Sequence, residues 1–167
     1  MRRKARVLLL VATCVIPTAC LTGFKHPLGS VEEAFIEPKL LGNWSCSSDD
    51  EPTPTVLNIM DFDGKQYYVE SSDKGEPSHF RALGHRIEDI AFLSLLELGK
   101  KDTDEDWTLL AYAQSDTDHL SLRAVDTTPF EDVLDDAPSV KQRLAEQMQD
   151  PEIVVSLVSC TRVRPQG

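Results

Sequence analysis

From Lys39 onward the chain breaks into short apolar stretches separated by turn residues at intervals of about 10 to 15, the spacing of antiparallel strands in a barrel or sandwich. Eight strands are predicted, over residues 40–47, 55–62, 65–71, 78–84, 90–98, 106–114, 118–125 and 153–163. Asp63-Gly64, between VLNIMDF and KQYYVES, has the form of a two-residue hairpin because Gly accepts positive φ freely. Asp116-Thr117 plays the same part before the strand that holds Leu120. The fold class is therefore mainly β, an antiparallel barrel of about eight strands.

A different period interrupts the strands. Thr128-Pro129-Phe130-Glu131 reads as a capping box with Pro at the first helical position, so a short helix is predicted to begin at Pro129. From Pro138 a second helix is predicted, with Val140, Leu144 and Met148 on one stripe, and Pro151 ends it. Both precede the last strand. Segments 90–98, 106–114 and 153–163 are apolar on both faces: Ala91, Leu93 and Leu95 against Phe92, Leu96 and Leu98, for example. One face lines the barrel, so the other must be covered, either by the 138–150 helix or by a partner protein or lipid.

The start of the chain has another character. Residues 1–19 combine a basic stretch, an apolar run from Val7 to Ile16 and small residues, which together read as a secretory signal peptide too short to span a bilayer stably. Thr18-Ala19-Cys20 resembles the bacterial lipobox, in which the cysteine is acylated and becomes the N-terminus, so Cys20 is the expected lipidation site. Residues 20–38 mix Gly, Pro and charge without a sustained period and are expected to form a tether, leaving 39–165 as the barrel domain. The expected location is the bacterial cell envelope, facing the periplasm and anchored by lipid, with a soluble secreted or periplasmic protein as the alternative.

Of the four cysteines, Cys14 falls in the leader and Cys20 carries the lipid, which leaves Cys46 and Cys160. In an exported chain two remaining thiols are most simply a disulfide, and no nearby Cys or His at ligand spacing favours a metal. In an antiparallel pair the residue numbers that face one another have a constant sum. Cys46 opposite Cys160 thus places Trp44 opposite Arg162 on the same face, where the guanidinium can lie on the indole. First strand against last is how a barrel closes.

Gly42-Asn43-Trp44 near the start of a first strand, with Arg162 on the last, resembles the lipocalin and wider calycin signature. The resemblance implies a small barrel with a ligand cup. Residues 39–163 also resemble a family of uncharacterised bacterial envelope proteins, through Phe92 to Leu98 and Leu120 to Asp126; that likeness implies a small barrel and no activity. A lipocalin helix usually follows barrel closure, whereas here the helix precedes the final strand. Trp44, Met60, Phe62, Phe80, Phe92, Trp107 and Leu109 would fill a small barrel if all pointed inward, and a filled interior is expected; outward placement of half of them would open a cup.

Composition narrows the partners. The chain has 17 Lys+Arg against 28 Asp+Glu, and removal of Arg2, Arg3, Lys4 and Arg6 with the leader leaves 13 against 28, a net charge near −15. A polyanion would be repelled, so nucleic acid is excluded as a partner. Asp102-Thr103-Asp104-Glu105-Asp106 begins like a calcium loop, but Trp107 stands where Gly is needed and Ala113 where a bidentate Glu is needed. His26, His79, His85 and His119 occur singly, and there is no nucleophile elbow or phosphate-binding Gly loop. No cofactor, metal or catalytic group is expected. The chain reads as a lipid-anchored, non-catalytic interaction or structural module with an envelope protein partner, the alternative being a carrier of a small apolar ligand in the barrel.

Overall fold

The computed structural model describes residues 23–48, 51–73, 75–99, 106–147 and 153–164. Eight antiparallel strands close into a barrel in sequence order: β1 (Gly42–Ser48), β2 (Glu51–Asp61), β3 (Gln66–Asp73), β4 (Glu76–Ile87), β5 (Ile90–Glu97), β6 (Trp107–Gln114), β7 (His119–Val125) and β8 (Val154–Arg162). One helix, α1 (Ala137–Gln147), lies before the last strand as expected, and short 3-10 turns occupy Pro38–Leu40 and Thr128–Phe130. The signal segment, Cys20, most of the acidic 102–106 loop and Met148 lie outside the described residues.

The seam between β1 and β8 has the register Trp44↔Arg162 and Cys46↔Cys160, and a disulfide joins the two cysteines across a sequence separation of 114. Because Cys46 faces inward, strand alternation carries that orientation around the barrel through Thr55, Leu57 and Ile59 of β2 and Val69 of β3.

Two local predictions need correction. Asp61 pairs with Tyr67, and Phe62 N–H donates to Gln66 O at 2.9 Å, so three residues, Asp63 to Lys65, link β2 and β3 instead of two. Asp63 Oδ1 accepts from the N–H groups of Lys65 and Gln66 at 3.0 and 2.8 Å, and that carboxylate holds the wider turn. The second correction concerns the helix starts. Thr128 lies inside its 3-10 turn and is not the cap; Asp126 Oδ1 accepts from Thr128 N–H and Oγ1 at 3.0 and 2.9 Å. Helix α1 begins one residue before Pro138, and Asp136 receives the N–H of Ser139 and, on its carbonyl, that of Val140.

The buried residues form two clusters, one on each side of the sheet. The inner cluster includes Leu40, Trp44, Ile59, Tyr67, Leu93 and Leu120. The outer one joins Leu83, Phe92, Trp107, Leu109 and Ala111 of β4 to β6 with Val140 and Leu144 of α1, so the helix does cover the second apolar face. It does not do so alone.

Phe24, Leu28 and Ala34, each no more than 2% exposed, belong to the same outer cluster. The expected tether is thus, from Gly23 on, a strap packed along the outside of the barrel. Phe24 and Trp107 exchange two backbone hydrogen bonds, at 2.9 and 2.7 Å. Leu28 N–H donates to the hydroxyl of fully buried Ser94 at 3.1 Å, and Phe35 N–H to Gly84 O at 3.1 Å. These bonds anchor extended backbone that has no periodic pattern of its own.

Candidate ligand-binding cavity

The two ends of the barrel differ. At one end lie the Asp63–Lys65 link, the Glu88-Asp89 turn and the link between β6 and β7, together with the Pro38–Leu40 turn. This end is plugged. Leu40 and Trp44 are fully buried, and the Trp44 indole N–H donates to Leu40 O at 2.8 Å. The Arg162 guanidinium covers the indole 4.2 Å from its ring centre and donates to the carbonyls of Thr117, Leu41 and Lys39 at 2.8, 2.8 and 2.6 Å. Gly42 has φ +128°, and a Cβ there would come within 2.7 Å of Arg162 Nη1. Positive φ and the guanidinium's approach together require glycine beside Trp44.

Tyr67 and Tyr112 complete the plug, a role with no motif or spacing to mark it. Glu37 N–H donates to the Tyr67 hydroxyl at 2.6 Å. Burial pushes the Tyr67 phenol up to about 12 and raises that of Tyr112 further, so both stay neutral. The Tyr112 hydroxyl is buried with no hydrogen-bond partner among the described residues.

The other half of the barrel is hollow. A cavity of about 320 Å³ extends inward from the end where β2, β4, β6 and β8 begin. Its body is aliphatic and aromatic: Leu57, Ile59, Val69, Phe80, Leu93 and Leu122, with Cys46 of the disulfide in the wall. Hydroxyl-bearing Thr55, Ser71 and Thr108 also line it, and all three sit in the halves of their strands nearest the opening. No carboxylate, amine or imidazole is in the wall among the described residues. The volume lies at the lower end of the range of about 300 to 1,000 Å³ for small-molecule sites.

The filled interior expected from seven large side chains is overturned by their orientations. Trp44 and Phe80 point inward. Phe92, Trp107 and Leu109 pack in the outer cluster, Met60 alternates outward from Ile59, and Phe62 lies beyond its strand, 70% exposed. With most of the seven outside, small and aliphatic residues line the barrel and leave space.

The histidines have separate roles. His79 and His85 both face outward from β4, six residues apart. Tyr68 Oη lies 2.8 Å from His79 Nδ1, whereas His85 Nε2 lies 3.1 Å from Ser30 O under the strap. His85 Nδ1 is buried with no hydrogen-bond partner among the described residues; burial lowers its pKa, with the Lys141 charge acting in the same direction and Glu33 opposing. Asp106, the described end of the acidic loop, pairs with Lys25. Among the described residues no three His, Cys, Asp or Glu side chains converge on a metal position.

Comparison of the chain with protein-family models, with curated proteins and with solved structures finds no match, so its closed eight-stranded barrel and one-ended apolar cavity stand on their own geometry.

Proposed function

We propose that this protein is an exported, lipid-anchored and non-catalytic binding protein that holds a small apolar ligand in the open half of its barrel, in the lipocalin manner. The observation that carries the reading is the 320 Å³ apolar cavity closed at one end by the Trp44–Arg162 plug and open at the other. Hydroxyls at the opening and hydrocarbon below suit a ligand that enters tail first. Export and anchoring draw support from the Thr18-Ala19-Cys20 sequence and from the Cys46–Cys160 disulfide, which belongs in an oxidising compartment. One support of the interaction-module reading was a second apolar face in need of cover. That face is occupied by the chain's own strap and α1, so the carrier reading is preferred.

The test is calorimetric titration with 1-decanol, a single apolar chain with a hydroxyl head that a 320 Å³ cavity can hold. Saturable binding at one site per chain is expected. Ala124→Phe, which puts a ring into the cavity wall, should weaken binding about tenfold or more while leaving the unfolding transition in place. Absence of saturable binding, or indifference to Ala124→Phe, overturns the reading.

A further inference from the structure

The strap fixes more than the outer face of the barrel. Its contacts climb from Phe24 with Trp107 through Leu28 with Ser94 to Ser30 with His85, and the chain then crosses the closed end through Phe35 with Gly84 to Glu37 with Tyr67 in the plug. The strap therefore travels from the open end to the closed end, and Gly23, its first described residue, sits at the open end. The close approach is built in. A Cβ at Gly23 would collide with Asp106, the Lys25 ammonium pairs with the same Asp106, and Thr108, two residues on, lines the cavity and is exposed.

Only two residues separate Cys20 from Gly23. At about 3.6 Å per residue of extended chain, Cys20 lies no more than about 11 Å from Gly23. From these distances we infer that the acylated protein presents the mouth of its cavity to the membrane that anchors it, and that the cavity takes one acyl chain of a lipid drawn directly from that bilayer. The inference rests on the proposed function, since it needs both the acylated Cys20 and the binding cavity.

The cavity's size and polarity agree with this occupant. A cavity of about 150 Å³ holds benzene, so 320 Å³ accommodates about a dozen carbon atoms, one alkyl chain but not two. Thr55, Ser71 and Thr108 would then meet the ester and headgroup region at the mouth, where hydrogen-bonding groups remain wet. With a net charge near −15 after leader removal, the chain has no electrostatic attraction to an anionic bilayer, so the covalent anchor and not surface charge sets the orientation.

The experiment places the full acylated chain in phosphatidylcholine vesicles containing a phospholipid with a photoactivatable diazirine at the end of one acyl chain. After illumination, labelled residues are mapped by mass spectrometry. Label on Leu57, Leu93 or Leu122 is expected, and a flexible Gly/Ser insertion of about 20 residues after Cys20, which lengthens the link by about 25 Å, should reduce it about tenfold or more. A parallel arm exposes the Cys20→Ser chain to a free diazirine fatty acid. Interior label there but none from the vesicle lipid, or vesicle labelling unchanged by the insertion, overturns the membrane-facing mouth while the carrier reading survives. No interior label in either arm overturns both, and a wild-type chain without the mass of an attached lipid overturns the anchored geometry.

Discussion

Truncating Phe24 to alanine separates a structural strap from a free tether. The Phe24 ring is 1% exposed and meets Phe130 edge to face with centroids 5.6 Å apart, and its backbone is doubly bonded to Trp107. Removing a buried Phe side chain costs about 3 to 5 kcal/mol when the surroundings do not collapse into the void. A strap held on only one side can relax, so a loss of about 3 to 4 kcal/mol is expected. In a domain of this size that lowers the midpoint by roughly 6 to 16 °C. The assay is urea unfolding of the Cys20→Ser chain, followed by tryptophan fluorescence, because Trp107 packs in the same cluster. Phe62→Ala is the control: Phe62 is 70% exposed, and its loss should change stability by no more than about 0.5 kcal/mol. If Phe24→Ala behaves like Phe62→Ala, residues from Gly23 on are a tether and the path of the strap is wrong.

Three further outcomes follow from named contacts. Replacing Cys46 and Cys160 together by alanine removes a bond that closes 114 residues, for which chain entropy assigns up to about 5 kcal/mol; a change below about 1 kcal/mol in urea unfolding would show that the β1–β8 hydrogen bonds suffice to hold the seam. Arg162→Lys should lose about 2 kcal/mol, nearly as much as Arg162→Met, because an ammonium cannot reach three carbonyls and cover the indole at once; equal stability of the Lys variant and wild type would contradict the plug. His85 has its pKa lowered in the fold, so the unfolded chain binds its proton first and stability is lost as pH falls through the ordinary histidine value of about 6.5. Between pH 7.5 and 5.5 the wild type should therefore lose more stability than His85→Gln, and parallel pH profiles would refute the role given to His85.

Barrel closure was legible in the sequence because a disulfide fixes parity: Cys46 opposite Cys160 leaves Trp44 no partner but Arg162. The helix before the last strand was legible from its stripe and from Pro151. The cavity was not, and the turn at Asp63-Gly64 hid one part of it, the inward face of β3. A two-residue turn at Asp63-Gly64 would set Phe62 against Lys65 and so Ile59 against Tyr68, whereas the three-residue turn sets Ile59 against Val69 and brings Tyr67 inside. A slip of one exchanges the two faces of a strand. In β5 and β6, apolar on both faces, alternation carried no information about which side was in, so Phe92, Trp107 and Leu109 were equally good candidates for either. The strap was hidden for another reason. Phe24, Leu28 and Ala34 share parity, but His26, Ser30 and Glu32 between them are polar, so no alternation shows, and each apolar residue fits a separate site on strands about 50 to 80 residues away. The one available signal was Ser94, a hydroxyl in the middle of an apolar strand, which needed a partner that crosses the outer face.

Occupancy of the apolar cavity can be read by native mass spectrometry of the chain from residue 20, with Cys20→Ser, purified from an oxidising periplasm, followed by the same sample denatured. An extra mass on the scale of a single-chain lipid is expected, one that disappears on denaturation and is absent from Ala124→Phe, with the polypeptide itself two hydrogens lighter than its reduced form. A bare polypeptide mass in the native spectrum that stays bare after incubation with excess lysophosphatidylcholine would contradict it.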